Sequence, residues 1–195
     1  MTTLRETLIP ATLGILLILS GAIIAANGIS EDTARQLIRI TAGSSLLLFS
    51  LAWSASSLNT LLGGERWRPV MQARRRAGVA FALSHTGHLI AIIWLVELAY
   101  GGDWSDIDIA GGATIYALIY AMALTSNDRS VRILGARQWK WLHKIGGYAI
   151  WVGLTSSYIG NAMASGAPYY WVYSVLALGI FLLRVLAFWK KRITT

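Results

Sequence analysis

The sequence predicts an all-α membrane protein, a bundle of six transmembrane helices with both termini in the cytoplasm. Three observations carry that prediction. Of 195 residues, 55% are apolar and only 13% charged, about half the charged fraction of a soluble domain, and the mean hydropathy is +0.55. Apolar runs near the length that a bilayer core of about 30 Å demands recur along the whole chain. Most of the Lys and Arg residues, 17 against 9 Asp and Glu, fall in short stretches beside those runs and form no continuous basic face.

The runs are taken in order. The first is Leu8 to Ala26. It follows a single basic residue, Arg5, and exceeds the usual apolar stretch of a signal peptide, so a retained helix is expected. The second is Leu37 to Leu58, with Arg39 near its start, and the third is Ala77 to Ala99. The fourth, Ile107 to Leu124, is short. The fifth runs from about Trp139 to Ala162 and the sixth from Pro168 to Trp189. No interval is long enough for a soluble domain, so residues 1–195 read as one transmembrane domain.

Orientation follows from the basic loops. Arg66, Arg68, Arg74, Arg75 and Arg76 precede the third run, and Arg129, Arg132, Arg137, Lys140 and Lys144 surround the start of the fifth. Lys190, Lys191 and Arg192 form the tail. The alternate loops at Tyr100 to Asp106 and Gly160 to Ala167 hold no Lys or Arg, and Glu31, Asp32, Glu97, Asp103, Asp106 and Asp108 gather on that side. The net charge of +8 is thus topological. Membrane lipid is the expected surroundings, and nucleic acid is not an expected partner.

Polar groups within the hydrocarbon are costly and mark candidate sites. They are Arg39, His85, His88, Glu97, His143 and Arg184. Arg39, Arg184 and Glu97 lie near helix ends, where their stems can reach the interface. His85 and His88 do not; they lie well inside the third run. Cysteine is absent, which excludes disulfides, Cys-ligated zinc and iron–sulfur clusters, so imidazoles are the nitrogen ligands at hand. His85 and His88 are three residues apart and share a helical face. His143 begins the fifth run, which crosses in the same direction as the third. Imidazoles on two facing helices of an apolar bundle are one way to hold a heme. Gly146 and Gly147 after His143, and Ser84 and Ala91 around His88, leave room for a flat macrocycle, although small residues equally let helices pack closely.

The order of several elements resembles a known family. They are the basic cluster before Ala77-Gly78-Val79 with a histidine about ten residues on; Thr125-Ser126-Asn127-Asp128-Arg129; Leu134-Gly135; and Trp139-Lys140-Trp141-Leu142-His143. Together, over roughly Arg74 to Tyr158, they are similar to the ferric reductase-like transmembrane domain, and within it to the bacterial branch that includes the heme subunit of the periplasmic methionine sulfoxide reductase system. The resemblance implies a b-type cytochrome of the bacterial inner membrane. It implies that His88 and His143 ligate heme iron, with His85 as substitute ligand or neighbour. Many relatives carry a second histidine about thirteen residues after the first in the fifth pass, where this sequence has Ser156. Three histidines then complete one bis-histidine heme. Measured from Ala77 at 1.5 Å per residue, His85 lies about 12 Å deep and His88 about 16 Å.

The chain has no G-x-G-x-x-G element after a strand and no room for a flavin domain. The resemblance therefore implies electrons from a separate cytoplasmic reductase or from quinol, passed to an acceptor across the membrane that the sequence does not identify. The alternative reading is a heme-free membrane scaffold or assembly subunit whose histidines bond within the bundle.

Overall fold

The computed structural model describes residues 4–105 and 109–194, with backbone alone at 4, 5, 66 and 194. Ile107, Asp106 and Asp108 lie outside the described residues. The elements are α1 (Leu4–Asn27), α2 (Glu31–Leu62), α3 (Arg68–Tyr100), α4 (Ile109–Leu124), α5 (Asp128–Leu134), α6 (Ala136–Ser165) and α7 (Pro168–Thr194), with a 3₁₀ turn at Glu65–Trp67. Among the described residues there is no strand.

The helices extend past their apolar runs until local chemistry stops them. Ser30 caps α2, its hydroxyl accepting the Thr33 N–H at 3.2 Å. Asn127 caps α5 by accepting the Ser130 N–H at 2.8 Å; such caps satisfy the orphan donors of a first turn. Gly101 ends α3 in the left-handed conformation, φ 58°, and Gly135 separates α5 from α6 at φ 76°, a region that disfavours any residue with a Cβ.

Four helices, α1, α2, α3 and α7, are long and apolar enough to cross a membrane, and a fifth span results if α4 and α5, bent by 106° at their junction, are taken together. This is the architecture of a multi-pass membrane protein. The expected count was six. The difference lies chiefly in α6, which is 30 residues long but carries Arg137, Lys140, Lys144 and the hydroxyl run Thr155 to Tyr158. These residues lower its apolarity below that of a lipid-facing helix.

The core lies where α2, α3, α4, α6 and α7 meet, around Leu46, Phe49, Phe81, Ile119, Ile150 and Ile180. α2 is central, packing on α3, α7 and α1, while α6 packs on α7 and α4. α3 meets its neighbours through Ala73, Ala77, Ala80, Ser84 and Ala91, all buried, a small-residue stripe that lets backbones approach closely. α1 lies outside, with Leu17 and Ile18 each 72% exposed, as suits a lipid-facing helix. Arg184 packs against α2. Its Nη1 donates to the Trp53 carbonyl at 3.0 Å, and its guanidinium stacks 4.4 Å from the Trp53 ring centroid, a cation–π contact.

Candidate functional site

Between α3 and α6, which make no extensive contact with each other, the bundle leaves two cavities. The larger, about 1060 Å³, is lined by Arg39, His85, His88, Tyr116, Ser156 and Tyr170 among others. The smaller, about 250 Å³, is lined by Arg74, Arg75, Phe81, Met122, Trp139 and His143 among others.

His88 is held by α2. Its Nδ1 lies 3.1 Å from the Ile38 carbonyl and 3.2 Å from Thr41 Oγ1. The Thr41 hydroxyl already donates to the Leu37 carbonyl at 2.6 Å, so it meets His88 only as an acceptor. With acceptors on both contacts, Nδ1 carries the proton, and the Nε2 lone pair is left free. This tautomer, assigned from the partners, is the arrangement in which an imidazole is oriented for a metal. The hydroxyls continue beside it: Ser84 reaches the Thr41 carbonyl at 3.3 Å, and Ser44 and Ser45 contact Ser84 at 2.7 Å and 3.0 Å.

His85 stands next to it, 7% exposed, and its Nδ1 has no hydrogen-bond partner in the protein. Its ring stacks on His88 at 5.1 Å and 22°, and lies 4.9 Å from Tyr116 and 5.4 Å from Phe81. A buried nitrogen without a partner is costly unless something else satisfies it.

His143 belongs to the other cavity. Its Nε2 lies 3.4 Å from Thr125 Oγ1 and its ring 4.2 Å from Trp139, whose indole N–H donates to the Thr125 carbonyl at 2.9 Å. The local sequence explains this corner. Thr125 closes α4, Asn127 caps α5, and Asp128 pairs with Arg75 at 2.7 Å, tying the α4–α5 junction to α3 beside His143.

The structure stacks His85 on His88 in the wall of one cavity and places His143 in the wall of the other. Arg75 and His143 line the same cavity. Along α3, His85 follows Arg75 by ten residues and His88 by thirteen, about 15 Å and 20 Å of helix. One iron between His88 and His143, as expected from the sequence, would draw its ligands from both cavities. Phe81 joins the cavities, lining the smaller one and stacking on His85, which lines the larger. The glycines after His143 are already used: a Cβ at Gly147 would lie 2.8 Å from Trp53 Nε1, and one at Gly146 would overlap the Met122 sulfur. Close packing accounts for both.

Among the described residues no group of three or more His, Asp or Glu is placed to hold a bare metal ion. A heme needs only one or two axial side chains. The larger cavity, at the upper end of the range for small-molecule and cofactor sites, combined with the free Nε2 of His88 and the unpartnered Nδ1 of His85, fits such a group. Thr41, the Ile38 carbonyl and Phe81 were not identified from sequence, since no local pattern marks a contact between helices.

Two curated proteins are similar to the chain. One is the heme-binding subunit MsrQ of protein-methionine-sulfoxide reductase from Azospira oryzae, 26% identical over 136 residues, 66% of this chain and 58% of that protein. The other is the subunit of the same name from Deinococcus radiodurans, 24% identical over 159 residues, 80% of this chain and 77% of that protein. The chain thus spans less than two thirds of the length of the first. No family model matches the chain, and no solved structure does.

Proposed function

Because the chain is related to the MsrQ heme-binding subunits and the ferric reductase-like family around them, we propose that it is a membrane b-type cytochrome, the electron-transfer subunit of an oxidoreductase. In this reading it binds one heme b and carries electrons across a bacterial inner membrane. They come from a separate cytoplasmic reductase or from quinol and leave to an acceptor on the far side. The bundle crosses six times, α6 included, with both termini cytoplasmic, as the basic loops require.

The carrying observation is the fixed tautomer of His88. Two acceptors on α2 hold its Nδ1 proton, so Nε2 would be available to a heme iron without proton release. His85 is the neighbouring imidazole of the same wall. His143 stands on the donor side, beside Arg74 and Arg75, whose charge suits an anionic group or an acidic partner. The heme supplies a one-electron redox couple. The protein supplies a cavity of cofactor size, an imidazole of set orientation, and Phe81 as the aromatic wall between the donor-side cavity and the histidine pair.

The test is the absorption spectrum of the detergent-purified protein, oxidised and then dithionite-reduced, with pyridine hemochrome quantification. A Soret band with about one heme b per chain, lost in His88→Ala, is the expected result. A purified, monodisperse protein without a Soret band would return the histidines to the role of scaffold.

A further inference from the structure

Resting on the heme reading above, we propose that the larger cavity is also a binding site for a small diatomic ligand, which takes the iron position that His88 leaves open. The argument is the composition of the walls. Both imidazoles of this cavity come from one helix, and their rings are stacked at 5.1 Å and 22°. Two rings lying side by side on one wall cannot approach one iron from opposite faces.

The α6 side of the cavity presents Val152, Gly153, Ser156 and Ser157, none of which offers an imidazole, thioether or amine. The Ser156 hydroxyl donates to its own helix, at the Gly153 carbonyl, 3.1 Å. Tyr158 donates its phenol proton to the Ala42 carbonyl at 2.9 Å. Among the described residues lining this cavity there is no third histidine, no methionine and no lysine, and His143 lines the other one. A heme held here by His88 has one protein ligand, and a five-coordinate ferrous heme binds neutral π-acceptor ligands of diatomic size. The cavity's about 1060 Å³ leaves room for such a ligand.

Carbon monoxide is the probe. The full chain, purified with its heme and reduced with dithionite, should show a saturable Soret shift on CO addition that reverses on photolysis. The oxidised spectrum should be high-spin. Ser156→Ala should keep the CO response, while Ser156→His should convert the heme to a low-spin form and abolish it. A wild-type heme that is low-spin in both states and indifferent to CO would overturn the proposal, because it requires a second protein ligand. So would an oxidised spectrum with tyrosinate charge-transfer bands, which would assign the position to a cavity tyrosine. Absence of heme from the purified protein would instead defeat the heme reading itself, so the two failures are distinct.

Discussion

His88 donates its Nδ1 proton to the Ile38 carbonyl at 3.1 Å, a bond from α3 to a backbone atom of α2. Thr41, one turn on from Ile38, directs its own hydroxyl proton at the α2 backbone and so stands as a second acceptor at Nδ1. The imidazole is therefore oriented by a helix that contributes no histidine.

Removing the side-chain half of that support should be visible in the heme. Thr41→Val deletes one acceptor at Nδ1 and lowers the electron donation of the imidazole. Heme affinity should fall roughly tenfold, the lower end of outer-shell effects, and the midpoint potential should rise, since a weaker donor stabilises the ferric state less. Thr41→Ser should restore both. Redox titration and heme retention on dilution read them, and a potential unchanged in Thr41→Val would remove Thr41 from the site.

The three histidines should separate by cavity. His88→Ala should eliminate the heme spectrum, and His85→Ala should shift it with heme retained. His143→Ala should leave the spectrum intact and slow reduction by a cytoplasmic donor. Loss of the spectrum in His143→Ala would mean that one iron does join the two helices.

Two adjacent glycines should differ in what they tolerate. Gly147→Ala sets a methyl 2.8 Å from the nitrogen of the rigid, buried Trp53 indole, and overpacking of this kind costs about 1–3 kcal/mol. Gly146→Ala meets the thioether of Met122, which has rotamers to move into. Thermal unfolding in detergent should show the larger loss for Gly147→Ala.

Topology is open to a direct check. A reporter enzyme active only outside the cytoplasm, fused after Arg192, should be silent, and one inserted after Gly102 should be active. Activity at the first fusion would overturn the assignment of the tail to the cytoplasm, and with it the proposed even number of crossings.

The sequence by itself determined the helices and the short roster of polar groups within them. Hydrophobic run length and the rarity of buried charge are local properties, legible one segment at a time. His85 and His88 were readable as neighbours because three residues on one helix fix a face. The Thr125 to Arg129 element of the resemblance is a local pattern too, and it forms a capped turn whose Asp128 pairs with Arg75.

What only the tertiary structure decided is which residues of different helices share a depth. α3 begins at Arg68, nine residues before its apolar run at Ala77, and α6 begins at Ala136. Asp128 pairs with Arg75 and Gly135 separates α5 from α6, and His143 lines a different cavity from His88. The space beside Gly146 and Gly147 was likewise decided by Met122 and Trp53 arriving from α4 and α2. A period of 3.6 residues says which side chains lie on one face. The partner that face meets depends on contacts between helices distant in sequence, which no single run encodes.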